Sequence, residues 1–389
     1  MLKKNGAWDR RFATPYAREN QSGGQGPMQV ADQAELERRL AKTLGAYDAR
    51  PDTNGVSFAL ASPSRGWEWE WDSADHSPQY FIASTTKLYV TALVMQLRSE
   101  GRLDLDTPAA HYLGPGVMAG LHVLQGVDSS ERITVRELLA HTSGIGDYFE
   151  QRRADGSTQI GDALRDDFGW DFADVLRIAR GLTPQFPPSS PGKAFYSDTN
   201  YQLLGAVVEA VDGVAYEEAL RRRILEPLGL RRTYPFTRET LDRYGEVDTM
   251  LYGTKPVTIP LAMASVRADG GIVSTTADGI AFLRAFMDGR LFPAAYLDEM
   301  LRDWRPIFPP LEYGVGVMRF ALPRYYTLFT EVPPMVGHSG ASGAVLYHVP
   351  KLDLYISGTV NQIKKRSLSY NLMTRLVMAC QTHWATGKR

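Results

Sequence analysis

The sequence predicts an α+β fold in which an antiparallel sheet, formed from both chain ends and flanked by helices, is interrupted by an all-α insertion. Three observations lead there. Strand-like alternation occurs near one end, at Gly55–Ala61 and Trp67–Trp71, and again near the other, at Tyr313–Phe320, Ala344–Val349 and Leu354–Val360. Between Ser84 and about Ala264 the apolar period is helical, punctuated at Leu113-Gly-Pro-Gly116 and Phe186-Pro-Pro-Ser-Ser-Pro-Gly192. With 389 residues, 44% of them hydrophobic, the chain is long enough to bury one large core or two joined ones.

In chain order, residues 1–31 are polar and glycine-rich and are expected to form a flexible tail. Residues 32–389 are expected to form one domain, with an α/β part at about 32–83 and 265–389 and an all-α part at about 84–264. From Asp32, Leu36, Leu40 and Leu44 recur every fourth position and predict a helix. The two N-terminal strands pair through a Pro63-Ser-Arg-Gly66 turn. Leu88–Leu97 is apolar enough for a buried helix ending near Gly101, and an amphipathic helix from Leu368 to Cys380 closes the chain.

Charge is balanced, 43 Lys+Arg against 44 Asp+Glu, so no overall field draws the chain to nucleic acid or an anionic membrane. No apolar run approaches the ~20 residues of a membrane span. Met1-Leu-Lys-Lys is followed by Trp8-Asp-Arg-Arg rather than an apolar segment, so no signal peptide is read. A cytoplasmic location is expected, export staying open if a leader is missing from this chain. Cys380 is the one cysteine, and no histidine falls in a pattern such as H-E-x-x-H, so neither an intramolecular disulfide nor a metal or other cofactor is expected. Oligomeric state is not legible.

Chemistry is signalled at Phe81-Ile-Ala-Ser-Thr-Thr-Lys87. A serine hydroxyl needs a partner to take its proton, and a lysine three residues along a helix lies on the same face. The helix N-terminus adds positive dipole density for a developing anion. Ser-x-x-Lys alone is a weak motif. Ser190-Pro-Gly-Lys193 also fits it, but Pro191 and Gly192 forbid the turn that would align the two side chains.

Further segments make the signal specific. Ser84-Thr-Thr-Lys87 is followed by Ile133-Thr-Val-Arg-Glu-Leu-Leu-Ala-His-Thr-Ser-Gly-Ile145, Tyr196-Ser-Asp-Thr-Asn-Tyr-Gln-Leu-Leu-Gly205 and Gly337-His-Ser-Gly-Ala341, with Glu226-Pro-Leu-Gly-Leu230 and Asp269-Gly-Gly-Ile-Val-Ser-Thr-Thr-Ala-Asp278 between. In order and spacing this resembles the class C β-lactamase and DD-peptidase superfamily of penicillin-recognising serine hydrolases, from about residue 35 onward. The resemblance implies a β-lactamase/transpeptidase-like domain. It implies that Ser84 attacks an acyl carbonyl while Lys87 and Tyr196 share its proton. A tyrosine serves as a base only beside cations, for which Lys87 and, as a second candidate, His338 are available. The backbone N–H groups of Ser84 and Ala341 would form the oxyanion hole, where losing one donor costs about 3–4 kcal/mol. Ser339 and Gly340 complete the substrate-binding strand, and glycines 337, 340 and 343 would let it approach the substrate closely.

Two positions depart from the pattern. Asp198 stands where the family has asparagine; near Lys87 it would keep that lysine charged and shift the base role toward Tyr196. His338 stands in place of lysine and, being only partly protonated near neutral pH, offers less fixed positive charge to a substrate carboxylate. His141 is expected to pack a turn beside the site. The segment Gly146–Pro191, with Tyr148, Arg152, Arg153, Arg165, Trp170 and Phe186, is expected to overhang the cleft.

The function so implied is a serine hydrolase or acyl transferase acting through an acyl-enzyme on a small-molecule or short-peptide acyl substrate: a small ester, an amide or a D-amino-acid peptide. The alternatives are a penicillin-recognising binding or sensor protein without turnover, and, below that, a β-lactamase. A third competitor is an α/β-hydrolase with Gly337-His-Ser-Gly-Ala341 as nucleophile elbow and Asp353 and His383 as partners, against which only about 50 residues remain after Ser339.

Overall fold

In a computed structural model the described residues are 30–327 and 331–386. The expected tail lies outside them except for Val30 and Ala31, which already belong to the first helix.

Helix α1 (Val30–Asp48) is followed by strands β1 (Ser57–Ser62) and β2 (Trp67–Asp72), joined by a turn in which Gly66 takes φ 59°. Helix α2 (Thr86–Ser99) opens the central block, in which α3 (Val135–Leu139) and α4 (Asp198–Asp212) bear on the site. After α5 (Thr276–Met287) the chain returns to strands: β3 (Arg305–Phe308), β4 (Leu311–Tyr313), β5 (Met318–Phe320), β6 (Met335–Ser339), β7 (Val345–Val349) and β8 (Leu354–Thr359). Helix α6 (Ser367–Thr386) follows. The eight strands form one antiparallel sheet in the order β3-β4-β5-β6-β7-β8-β1-β2. The two chain ends meet where Ser57 pairs with Thr359 and Ala61 with Tyr355.

Both faces of the sheet are covered, which is why its central strands are apolar without a polar side. On β1, Phe58 and Leu60 join the core beneath α1 and α6, where Leu36, Leu40, Leu44, Leu372 and Leu376 are fully buried. Ala59 and Ala61 point the other way, into the larger core that holds α2, α4 and α5. The small side chains leave room for helix backbone on that face. On β2 the tryptophans point inward and the glutamates outward, charging an edge that would otherwise invite strand addition.

Two expectations need correction. Tyr313–Phe320 is a hairpin rather than one strand: Tyr313 pairs with Met318 across Gly314 and Gly316, and Gly316 takes φ 77° against Thr91. The central block also carries short strands, at Val123–Leu124, Val127–Asp128, Tyr234–Pro235, Leu251–Tyr252 and Lys255–Pro256. Among the described residues no helix is long and apolar enough to cross a membrane.

Candidate active site

The short strand Tyr80–Phe81, paired with Ile272–Ser274, delivers the chain into a 3-10 turn at Ala83–Thr85 that runs straight into α2. Ala83 takes φ 44°, a left-handed conformation that a residue with a Cβ rarely adopts and that recurs at functional turns. Ser84 follows, half-buried, and Lys87 is fully buried one turn on.

The three donors of the Lys87 ammonium each find an oxygen: Ser84 Oγ at 3.2 Å, Asp198 Oδ1 at 2.6 Å and the Asp269 carbonyl at 2.7 Å. That is the full hydrogen-bonding complement of a charged lysine. Nζ also sits 5.0 Å from the Tyr196 ring centroid and 5.4 Å from that of Tyr201. Ser84 is the hydroxyl that bears on the Tyr196 phenol. Burial, and after it the Asp198 carboxylate, holds that phenol well above the ordinary phenol range, the Ser84 hydroxyl pulling the other way. Ser84, Lys87, Tyr196 and Asp198 are thus one contiguous group.

Asp198 does not cap α4. Ser197 occupies the N-cap position, and Asp198, first in the helix, turns its carboxylate onto Lys87. Burial lifts Asp198 above the usual carboxylate range against the pull of that lysine. Behind it lie two acids that the sequence reading missed. Asp147 accepts the Asp198 N–H at 2.8 Å and the Glu150 N–H at 2.7 Å, and burial with the Asp198 charge pushes it up to about 8. Asp269 accepts from Tyr148 Oη at 2.8 Å and Gln202 Nε2 at 2.9 Å and is likewise held well above the usual range by burial. Lys87 therefore neutralises a pocket that carries more acids than cations.

The third segment meets the Ser84 turn through Gly340. A Cβ there would lie 2.4 Å from the Ile82 carbonyl and 3.0 Å from the Ala83 side chain, so only glycine lets β6 close against the serine turn. The Gly340 N–H is used, donating to Ala344 O at 2.8 Å, and the next amide is that of Ala341. Strand β5 pairs with β6 only as far as Gly337, leaving the end of β6 unpaired on that side. The other two glycines answer to the protein's own packing, contrary to expectation. A Cβ on Gly337 would sit 2.0 Å from Leu346 O on β7, and Gly343, at φ 91°, faces Gln362 and Val360.

His338 also departs from expectation. It is fully buried; its Nδ1–H donates to Ser339 O at 2.8 Å and its Nε2 accepts from Tyr313 Oη at 3.0 Å. Burial and the Lys87 charge push it down to about 3, so it is neutral and offers no positive charge to Tyr196 or to a substrate. Ser339 alternates to the other face of β6, where its hydroxyl pairs with Tyr370 Oη and lies 3.4 Å from Met318 Sδ. His141 is buried as a support: its Nδ1 accepts from the Ser197 N–H at 3.1 Å, and its ring lies 4.5 Å from that of Tyr196.

The expected overhang is mostly structural. Tyr148, Trp170 and Phe186 are buried, and Arg153 and Arg165 are both paired with Asp162. Besides Lys87, a second cation acts on Asp198 and Tyr196: Arg366, just ahead of α6 and ion-paired with Glu150. The decoy serine is a turn residue: Ser190 Oγ donates to Pro187 O at 2.6 Å. An elbow at Ser339 is excluded, because it lies at the end of a strand in an all-antiparallel sheet rather than in a strand-to-helix turn.

An antiparallel sheet between helical layers, with the serine turn packed against the end of a central strand, is the β-lactamase/transpeptidase fold. A family model described as beta-lactamase matches residues 40–373, and the chain belongs to that family. A D-stereospecific amidohydrolase from Streptomyces sp. is 27% identical with a TM-score of 0.64, covering 87% of this chain and 95% of that one. The D-amino acid amidase from Ochrobactrum anthropi SV3 shares the fold at a TM-score of 0.72 and 22% identity, covering 90% and 99% of the two chains. Penicillin-binding protein 4 of Amycolatopsis lactamdurans is 30% identical over 219 residues, 54% of this chain and 51% of that protein. The chain spans about half the length of the first two curated relatives it matches.

Proposed function

We propose that this protein is a serine hydrolase or acyl transferase that forms an acyl-enzyme on Ser84 with a small ester, an amide or a D-amino-acid peptide. The observation that carries this is the contact of Ser84 Oγ with Lys87 Nζ at 3.2 Å, the same ammonium lying 5.0 Å from the Tyr196 ring centroid. The likeness to a D-stereospecific amidohydrolase at 27% identity supports an amide as one substrate class.

In the proposed reaction Ser84 Oγ bonds to the carbonyl carbon as its proton passes to Tyr196 Oη. Lys87, positioned by its hydrogen bonds to Asp198 and the Asp269 carbonyl, stabilises the phenolate that accepts it. The carbonyl oxygen becomes an oxyanion facing the amides of Ser84 and Ala341. Tyr196 then returns the proton to the departing nitrogen or oxygen, leaving the acyl group on Ser84. Water or another acceptor enters by the reverse path. With His338 neutral, the third segment lacks the cation a β-lactamase would turn toward a substrate carboxylate, which keeps that activity the weaker alternative.

Because Tyr196 rests as a phenol, kcat/KM for ester hydrolysis is expected to rise with pH into the alkaline range. Asp198 contributes to holding that phenol up, so Asp198→Asn lowers it and moves the ascending limb to lower pH. Each unit of displacement is worth about tenfold in rate at fixed pH on the limb. A limb that moves upward or stays in place contradicts this assignment. p-Nitrophenyl acetate tests the function itself. A burst followed by steady turnover is the expected course; one stoichiometric burst without turnover selects the binding or sensor alternative.

A further inference from the structure

We infer that Phe308 is the apolar wall of a leaving-group subsite and gives this protein a preference for substrates whose departing group carries an aryl ring; this rests on the Ser84–Tyr196 reading above. Strand β3 is an outer edge of the sheet, yet it presents a large apolar side chain that is 52% exposed. Its ladder with β4 explains where that side chain goes. Pro306 pairs with Glu312, but Phe308 pairs with Leu311, a register shift that places one extra residue on β3. Residues paired across an antiparallel ladder share a face, and a one-residue shift reverses it. Without the bulge Phe308 would follow Pro306 onto the side of Glu312; with it, Phe308 joins Leu311 and Tyr313. Such bulges are a device for re-aiming a side chain beside an active site.

The re-aimed ring lies 6.1 Å from that of Tyr196, tilted by 53°. Tyr313, on the same face, is 6.0 Å from Tyr196 and completely buried, as Leu311 nearly is. Phe308 is therefore the member of this face left open, with one side toward Tyr196 and the other toward solvent. In the reading above Tyr196 hands the proton to the departing atom, and the open Phe308 ring beside it is the apolar surface offered to the leaving group. A ring there would remove apolar surface from water on both partners and gain an edge or offset contact.

The test compares benzyl acetate with 2-methoxyethyl acetate, whose leaving alcohols have similar acidity and whose acyl groups are identical. Phe308→Ala is expected to lower the ratio of kcat/KM for benzyl over methoxyethyl ester about tenfold, mainly through KM for the benzyl ester, and Phe308→Leu to recover part of it. A thermal melt verifies that the variants are folded, as half-exposure of the side chain predicts. A ratio unchanged within about twofold in folded Phe308→Ala overturns the subsite while leaving Ser84 acylation intact. If the unmodified protein turns over neither ester and a fluorophosphonate leaves Ser84 unlabelled, the parent reading fails and the subsite with it.

Discussion

Lys87→Met is expected to abolish acylation of Ser84 and to destabilise the folded chain by about 3–5 kcal/mol. The side chain it replaces is completely buried and ion-paired with Asp198 at 2.6 Å, beside Asp147 and Asp269. Methionine matches its length but leaves the acids without their cation. The cost depends on pH, and its sign follows from Asp198. Burial already raises this carboxyl, and Lys87 is what opposes the rise. With the lysine gone, the folded-state value climbs further above the unfolded one. The variant is therefore least destabilised in acid, where Asp198 is protonated in both states, and loses stability as pH rises. Urea unfolding at pH 5 and pH 8 reads this directly. Lys87→Met combined with Asp198→Leu separates the two losses: stability should largely return, because a buried pair can be replaced by apolar groups, while acylation should not. Recovery of acylation in the double variant would remove Lys87 from the chemistry.

Tyr196→Phe is expected to slow acylation by roughly a hundredfold to ten-thousandfold at little cost to the fold. The variant loses one oxygen. It keeps the ring contacts with His141 at 4.5 Å, Tyr313 at 6.0 Å and Phe308 at 6.1 Å. The size of the loss identifies the base. If Lys87 took the serine proton itself, Tyr196→Phe would cost less than about tenfold, because the ammonium-to-serine contact at 3.2 Å survives the change. Single-turnover release of p-nitrophenol measures the acylation step apart from deacylation.

How far these features were legible depended on whether they were local. The Ser84–Lys87 pair was: the two residues share a helix turn, and the apolar run after them fixes that turn against the core. So was the decoy at Ser190, since Pro191 excludes a helix whatever surrounds it. Joining the sheet from both ends followed from where alternation appears in the chain. What escaped were properties that belong to neighbours distant in sequence. Asp147 and Asp269 read as unremarkable acids, and only the fold brings their carboxyl groups behind Lys87; the solitary Asp269 before two glycines was the available hint. His338 was correctly placed on its strand but wrongly credited with charge, because its complete burial and its partner Tyr313, more than twenty residues away, are products of the fold. The glycines of the third segment were read against a substrate and turned out to answer mostly to Leu346, Ile82 and Gln362. The hairpin at Tyr313–Phe320 was missed because alternation continues through its turn; Gly314 and Gly316 were the signal that it breaks there. Arg366 is brought beside the site with Glu150, across 216 positions of chain.

The central claim, that Ser84 is the residue acylated, is tested most directly by treating the protein with a fluorophosphonate and locating the adduct by mass spectrometry. One adduct on Ser84, absent from Ser84→Ala and unaffected by Ser339→Ala, is the predicted result. An adduct on Ser339 or Ser190, or none on any serine of the folded protein, would contradict it.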